Sequence, residues 1–161
     1  IRSEEDMTNQ EFFDKIIEYH KYCSGDPDLL EGRLGIEPLE CDIEAQTADY
    51  IYNAVRWHRN DYLGVHGGTI AAVFDYTMAL TLGGQGVGPI GTVNMSLQYL
   101  RPAMGDKFRV HTETMHLGNR ILQAHAVMYD GETGKPIAEA QATYSKVGKT
   151  PVTFAQADTD K

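Results

Sequence analysis

Residues 60–80 read NDYLGVHGGTIAAVFDYTMAL, and this stretch decides the fold. From Gly67 to about Leu82 it is a run of small and apolar side chains, which predicts a buried helix ended by the glycines of 83-GGQGVG-88. One carboxylate, Asp75, interrupts the run. Residues three and four positions away share its helix face, and none of them is polar: Ala71, Ala72, Met78 and Ala79.

A carboxylate among such neighbours faces a core or an interface, where its charge is costly unless it is paired or used. Desolvation favours the proton-accepting behaviour that a general base needs. Asp75 is therefore a candidate general base. The alternative is a structural role, in which the buried carboxylate holds backbone amides.

His66-Gly67-Gly68 stand where this helix begins. Glycines let a ligand approach backbone N–H groups, and a helix N-terminus carries a partial positive charge. Such a place suits a carbonyl oxygen that becomes an oxyanion. A glycine turn without a ligand is the alternative. His66 is interpreted as bracing the turn, because no Ser or Cys stands at a recognisable nucleophile spacing from it.

The chain before this stretch predicts one helix and then strand. Residues 8–23 have helical spacing, with a capping box from Thr8 to Glu11. The pattern from about 39 to 59, which includes Trp57, is typical of extended structure.

The chain after Gly91 predicts strands joined by turns, over 92–100, 106–117, 121–130 and 136–147. In the first strand Val93 begins an apolar set that alternates with polar residues, and the last two strands carry alanines on one face. One sheet must bury one very apolar helix, so we predict an α+β fold with an antiparallel sheet wrapped around a long central helix. Free sheet edges favour a dimer at least.

Composition narrows the function classes. A net charge of -9 argues against a nucleic-acid partner. No apolar run approaches the roughly 20 residues that span a bilayer, and the polar start IRSEEDMTNQ is not typical of a signal peptide. Cys23 and Cys41 lack CxxC spacing and are expected to be free thiols. We therefore expect a cytoplasmic protein with neither membrane nor nucleic acid as partner.

Three kinds of functional motif are not predicted for this sequence. Residues 86–91, GVGPIG, match G-x-G-x-x-G, but a dinucleotide site needs a strand before the glycines and a helix after them, so a loop is predicted. His111 and His116, five apart on one predicted strand, would point to opposite faces, and no metal-ligand spacing occurs, so no metal is expected. The G-x-S-x-G elbow of α/β-hydrolases is absent.

Asn60 precedes His66 by six residues, and Asp75 follows it by nine; 99-YLRPAMGD-106 and 118-GNR-120 come later in the chain. This ordered set resembles the hotdog-fold acyl-CoA thioesterases of the 4-hydroxybenzoyl-CoA, PaaI-like type. The resemblance implies a hotdog thioesterase domain over 35–148. An N-terminal helix and lead-in (1–34) would precede it, and a flexible tail (149–161) would follow.

The resemblance also implies catalytic roles. The Gly67 N–H would polarise the thioester carbonyl, Asn60 would orient the carbonyl or the attacking water, and His66 belongs to the same set. Asp75 would be the general base for that water, or a nucleophile that forms an anhydride. Thr92 would help to position the water. In this family the site spans a dimer interface.

The expected partner is an acyl-CoA, with coenzyme A as part of the substrate and no separate cofactor. Expected substrate-binding residues are Gly68 and, at the CoA phosphates, Arg101, Arg120 and Lys146. The alternatives are a non-catalytic acyl-CoA binding or sensing module and a hotdog hydratase or dehydratase. The acyl group, the carrier (CoA or acyl-carrier protein) and the choice of dimer or tetramer are left open.

Overall fold

A computed structural model describes residues 7–148, so the prediction of a flexible tail at 149–161 lies outside the described residues. The helices are α1 (Asn9–Ser24), α2 (Leu30–Arg33) and α3 (Gly67–Gly84), and a 3-10 turn covers Arg56–His58. The strands are β1 (Ile36–Asp42), β2 (Thr47–Asn53), β3 (Ile90–Tyr99), β4 (Lys107–Leu117), β5 (Ile121–Asp130) and β6 (Pro136–Lys146).

The six strands form one antiparallel sheet in the order β1-β2-β4-β5-β6-β3, and α3 packs on one face of it. The predicted α+β layout is confirmed. Ala124 of β5 pairs with Ala142 of β6, and Ala126 pairs with Ala140. All four are buried. Because these side chains are small, the helix can lie close to the sheet.

Helix α1 forms where the capping signal predicts it. The Thr8 side chain accepts from the Glu11 N–H, and the Glu11 carboxylate accepts from the Thr8 N–H. Phe12 and Ile16 of α1 are fully buried against the end of α3. Helix α3 runs through Gly84, two residues beyond the predicted end. Because Gly84 has no side chain, Phe12 and Ile16 can approach the helix backbone there.

The prediction of extended structure from 39 to 59 is only partly right. Strands β1 and β2 form, but Trp57 lies in the 3-10 turn. The turn buries His58 completely. The Tyr52 hydroxyl lies 2.9 Å from His58 Nδ1, and His58 Nε2 donates to the Arg33 carbonyl at 2.9 Å. Strand propensity is overridden here because these buried hydrogen bonds require the chain to turn.

A bulge in β3 changes which of its side chains face α3. Asn94 pairs with Thr143, and the next pair joins Thr92, rather than Val93, to Tyr144. The simple alternation predicted for this strand is therefore wrong at Val93, which is 59% exposed. Thr92 takes the helix-facing place opposite Tyr144 because the bulge inserts one extra residue.

A second bulge corrects the prediction for His111 and His116. Thr114 pairs with the buried Ala124, and beyond the bulge His116 pairs with Gln123, the outward neighbour of Ala124. Both histidines therefore lie on the outer face of the sheet. Across residues 7–148 no group of three His, Cys, Asp or Glu side chains could hold a metal ion.

Two smaller predictions concern the loop and the cysteines. The predicted loop at 86–91 is shorter in the structure, because β3 begins at Ile90; residues 85–89 lead from α3 into β3, the reverse of the strand-to-helix order of a dinucleotide site. Gly86 and Gly88 there adopt φ of +80°. Cys23 and Cys41 are free thiols, as expected. In the described part of the chain no helix is long and apolar enough to cross a bilayer.

Candidate active site

Asp75 lies on the least buried face of α3, which it shares with Ala72 and Ala79. Two side-chain hydroxyls bind the same carboxylate oxygen. Thr92 Oγ1 donates to Asp75 Oδ1 at 2.8 Å, and the Tyr144 hydroxyl lies 3.1 Å from that oxygen. Both donors come from the sheet, on β3 and β6. The structural alternative, a carboxylate that holds backbone amides, is not what the contacts show.

Sequence reasoning missed Tyr144. Its side chain is 1% exposed, and its hydroxyl also lies 3.0 Å from the Asp75 backbone carbonyl oxygen. Burial raises the pKa of Tyr144, and the neighbouring Asp75 charge raises it further, so the hydroxyl stays protonated and can donate. One signal was present in the sequence: Tyr144 is the large polar-ended residue on the face of β6 that is otherwise alanine at 138, 140 and 142.

The N-terminus of α3 is built by His66. Its Nδ1 accepts the Gly68 N–H at 2.9 Å, and its carbonyl accepts the N–H groups of Thr69 and Ile70. The interpretation of His66 as a brace for the turn is consistent with this cap. For the Gly67 N–H, no acceptor lies within hydrogen-bonding distance among residues 7–148. An amide at the positive end of the helix is therefore available to a ligand.

A cavity of about 490 Å³ opens at this helix end. Tyr99 packs against Gly67: its hydroxyl donates to the Gly67 carbonyl at 2.8 Å. The lining residues are Val65, Gly67, Gly68, Ile70, Tyr99, Leu100, Arg101, Pro102 and Ala103. Gly67 and Gly68, both expected to contact substrate, thus border the same cavity.

Asn60 lies in the tight turn before α3. Its Oδ1 accepts the Tyr62 N–H at 3.0 Å, and its own N–H donates to the Gly64 carbonyl at 2.9 Å. Leu63 in this turn has a φ of 66°, a left-handed conformation that side chains rarely adopt. No acceptor for the Asn60 Nδ2 hydrogens is found in the part of the chain that the structure describes. The side-chain amide can therefore donate to a ligand.

Asp75 and the amide end of α3 are far apart within one chain. Asp75 follows Gly67 by eight residues, and at a rise of 1.5 Å per residue this is about 12 Å. A group that removes a proton and a group that holds the oxyanion must both lie about 3 Å from the reacting atoms. One chain alone therefore does not bring these two groups to one carbonyl.

The three cations expected at the CoA phosphates do not form one cluster. Arg101 donates to the Pro136 carbonyl at 2.8 Å, at the start of β6. Lys146, at the other end of β6, donates its N–H to the Arg120 carbonyl at 3.0 Å. Ten strand residues separate these places, which is about 33 Å. The chain by itself presents Arg101 in one place and Arg120 with Lys146 in another.

A buried carboxylate, Asp49, lies away from Asp75 on the outer face of the sheet. Asp49 Oδ1 accepts from Arg109 Nε at 2.9 Å and lies 3.1 Å from His111 Nδ1. Burial acts to raise the pKa of Asp49, but the hydrogen bonds from His111 and Arg109 outweigh it and hold the pKa below its usual value. The hydrogen bond to Asp49 raises the pKa of His111. This cluster ties β2 to β4.

Comparison with known proteins gives a sequence match at the candidate site. Residues 64–137 match the model of the Thioesterase superfamily. The medium/long-chain acyl-CoA thioesterase YigI of Escherichia coli (strain K12) is 28% identical over 95 residues, which cover 50% of this chain and 61% of that protein. The chain thus spans less than two thirds of the length of the curated relatives that it matches.

Solved structures match the fold. The PaaI protein from the phenylacetic acid degradation operon of E. coli has a TM-score of 0.75 at 17% identity, covering 89% of this chain and 99% of that chain. Thioesterase superfamily member 2 from Mus musculus has a TM-score of 0.72 at 20% identity, covering 86% of this chain and 98% of that chain. These solved structures share their fold with this chain, which therefore has an α+β hotdog fold, and residues 64–137 are similar in sequence to the Thioesterase superfamily.

Proposed function

We propose that this protein is an acyl-CoA thioesterase, which hydrolyses the thioester to a free acid and CoA. The observation that carries the proposal is the Asp75 carboxylate, bound through Oδ1 by Thr92 and Tyr144 on a partly exposed helix face. Hydroxyl donors on one oxygen hold a carboxylate in a fixed orientation. Its other oxygen can then accept a proton from water or attack a carbonyl.

The proposed site is shared by two chains. Asp75 and the Gly67 amide are separated by about 12 Å of helix, so one chain holds two half-sites rather than one site. In a symmetric dimer, Asp75 of each chain can meet Gly67 of the partner subunit and Asn60 of the partner subunit. Edge strand β3, which carries the exposed Val93, is the proposed pairing surface.

In the general-base route, water attacks the thioester carbon while Asp75 takes one of its protons. The carbonyl electron pair moves to oxygen, and the Gly67 N–H of the partner subunit and its helix dipole stabilise the oxyanion. Asn60 orients the carbonyl or the water, and Thr92 holds the carboxylate. The intermediate collapses, the C–S bond breaks, and the CoA thiolate leaves and takes up the proton. The balance is thioester plus water giving acid plus thiol.

The nucleophilic route uses the same residues in another order. An Asp75 oxygen attacks the carbonyl carbon, the thiolate leaves, and the resulting anhydride is hydrolysed by water. A single turnover in ¹⁸O-water distinguishes the two routes, because only an anhydride can pass the label to the Asp75 carboxyl. Mass spectrometry of the peptide that contains Asp75 reads the result.

A panel of acyl-CoAs with a free-thiol readout tests the function. Because the matched E. coli relative bears the name medium/long-chain acyl-CoA thioesterase, medium and long acyl chains belong in the panel beside short and aromatic ones. We expect turnover of at least one thioester, reduced about 10²-fold or more in Asp75→Asn. Asp14→Asn, an exposed acid on α1, is the control and should match the wild type.

Other outcomes point to the alternatives. Acyl-CoA binding without thiol release would favour a binding or sensing module. Addition of water to an enoyl-CoA, seen as loss of its conjugated absorbance, would favour a hydratase. Turnover that survives unchanged in Asp75→Asn would contradict the assigned role of Asp75 even if the protein is a thioesterase.

A further inference from the structure

The two oxygens of the Asp75 carboxylate have different surroundings. Oδ1 is within hydrogen-bonding distance of two hydroxyls, at 2.8 Å and 3.1 Å. For Oδ2, no donor lies within that distance among residues 7–148. An ionised carboxylate can accept about four hydrogen bonds, two at each oxygen, so its capacity at Oδ1 is filled and at Oδ2 is open.

The bulge in β3 brings the two donors together. Thr92 and Tyr144 are direct cross-strand partners, on β3 and β6. Without the extra residue, Val93 would face α3 at this place and offer no hydrogen bond. The bulge aims two hydroxyls from neighbouring strands at one oxygen of one side chain.

Tyr144 also fixes the position of the helix at Asp75. Its hydroxyl proton is shared between the Asp75 carbonyl oxygen at 3.0 Å and Asp75 Oδ1 at 3.1 Å. The ring that carries the hydroxyl is buried under α3 and cannot swing away without opening the core. Tyr144 therefore ties the backbone and the side chain of the same residue to the sheet.

We propose that Tyr144 is a positioning residue which, with Thr92, holds Asp75 Oδ1 and so makes Oδ2 the oxygen that meets the water or the acyl carbon. This inference rests on the proposed thioesterase function, because it assigns a role within the same site. It adds which oxygen reacts and which buried side chain decides that choice.

Tyr144→Phe tests the inference, because it keeps the ring and removes only the hydroxyl. We expect kcat to fall about tenfold with KM changed less than about twofold, since the lost hydrogen bond orients a reacting group rather than binding substrate. A purely structural role for Tyr144 would lower the free energy of unfolding without this separate loss of kcat.

Tyr50→Phe is the matched control. Tyr50 is also fully buried, and its hydroxyl bonds to Thr81 in the same helix–sheet layer without contact to Asp75. It should lose a similar amount of stability in thermal unfolding and keep the wild-type kcat and KM. A Tyr144→Phe protein with wild-type kcat overturns the inference and leaves the thioesterase proposal intact.

A second measurement does not need turnover. Carbon-13 NMR of labelled aspartate reports on the Asp75 carboxyl, with Asp75→Asn to assign the signal. At one fixed pH we expect the chemical shift of this carboxyl to change in Tyr144→Phe and to keep its wild-type value in Tyr50→Phe, because only the first variant removes a hydrogen bond to Asp75. An unchanged chemical shift in Tyr144→Phe overturns the inference. If the wild type hydrolyses no thioester while the chemical shift changes, the proposed function fails and the oxygen assignment stands on its own. If Tyr144→Phe does not fold, Thr92→Val must change the chemical shift of the same carboxyl.

Discussion

At the scale of the residue, α3 carries two groups in different surroundings, the Asp75 carboxylate and the Gly67 N–H. In the proposed reaction Asp75 uses hydrogen-bond donors on one oxygen and leaves the other open, and Thr92 and Tyr144 supply the donors. Gly67 needs space in front of its N–H. A Cβ at Gly67 would have the Tyr99 ring as its nearest neighbour, at 3.4 Å, which is ordinary van der Waals contact. The absence of a side chain at Gly67 is therefore not required for packing, and it leaves the amide N–H accessible to a ligand.

Gly67→Ala is expected to fold normally and to lose activity. Its backbone is not in the left-handed region, so the free energy of unfolding should change by less than about 0.5 kcal/mol. The added methyl group narrows the cavity beside the amide, and kcat/KM should fall about tenfold because the carbonyl oxygen is displaced from its donor. Chemical denaturation and thioester kinetics on the same preparation check both statements.

Gly83→Ala is the control, since it makes the same change at the far end of α3. It should keep the wild-type kcat/KM. A Gly67→Ala protein with wild-type activity would contradict the role of this amide.

At the scale of the element, α3 is placed by two close approaches. The alanines of β5 and β6 let it lie on the sheet, and Gly84 lets α1 lie on it. A Cβ at Gly84 would be 2.6 Å from Ile16 Cγ1 and 2.8 Å from Phe12 Cε2. Real Cβ atoms are not found that close, so α1 packs against α3 only because Gly84 has no side chain.

Gly84→Ala should therefore destabilise the protein by about 1–3 kcal/mol, the usual cost of overpacking a core. Urea unfolding followed by circular dichroism measures the loss. Gly83→Ala should cost less, because its Cβ would meet mainly the Tyr19 ring, at 3.1 Å from Cδ1, and alanine favours the helix. Equal stabilities of the two variants would show that α1 can move aside.

At the scale of the whole molecule, we propose that each chain supplies half of two different sites. Asp75, which we call the acid half, lies in the middle of α3, and the Gly67 N–H, which we call the amide half, lies at its N-terminus, about 12 Å away. A two-fold axis that brings the two helices side by side would complete two sites at once. Activity should therefore depend on the dimer.

Mixing two inactive variants tests this arrangement. Asp75→Asn keeps the amide half, and Asn60→Ala keeps the acid half. When the two are unfolded and refolded together, half of the dimers are hybrids, and one of the two sites in each hybrid is intact. Activity should recover to about a quarter of the wild-type value.

Hybrid formation is verified with a mass-tagged chain. Hybrids that form without any recovery would place the complete site within one chain. A stable monomer in analytical ultracentrifugation that retains activity would contradict the shared site directly.

The sequence by itself determined the elements and their order. The capping box at Thr8, the apolar run from Gly67 and the period-two strands after Gly91 are local patterns, and local patterns reflect which face of an element is buried. The candidate residues were also found in the sequence: Asp75 by its position in an apolar helix, and the set of Asn60, Gly67 and Asp75 by its resemblance to a known family of thioesterases.

The tertiary structure decided how Asp75 is held. The family resemblance implied a role for Thr92, but the strand pattern placed Val93 on the face towards α3. The bulge in β3 places Thr92 there instead, and strand pairing places Tyr144 opposite it. A bulge depends on how two distant strands match in register, which is not visible in either strand alone. The same reason explains His116, whose face was reversed by the bulge in β4. The sequence alone shows that residue 75 is a carboxylate in an apolar helix, whereas its hydrogen-bond partners lie 17 and 69 residues away along the chain.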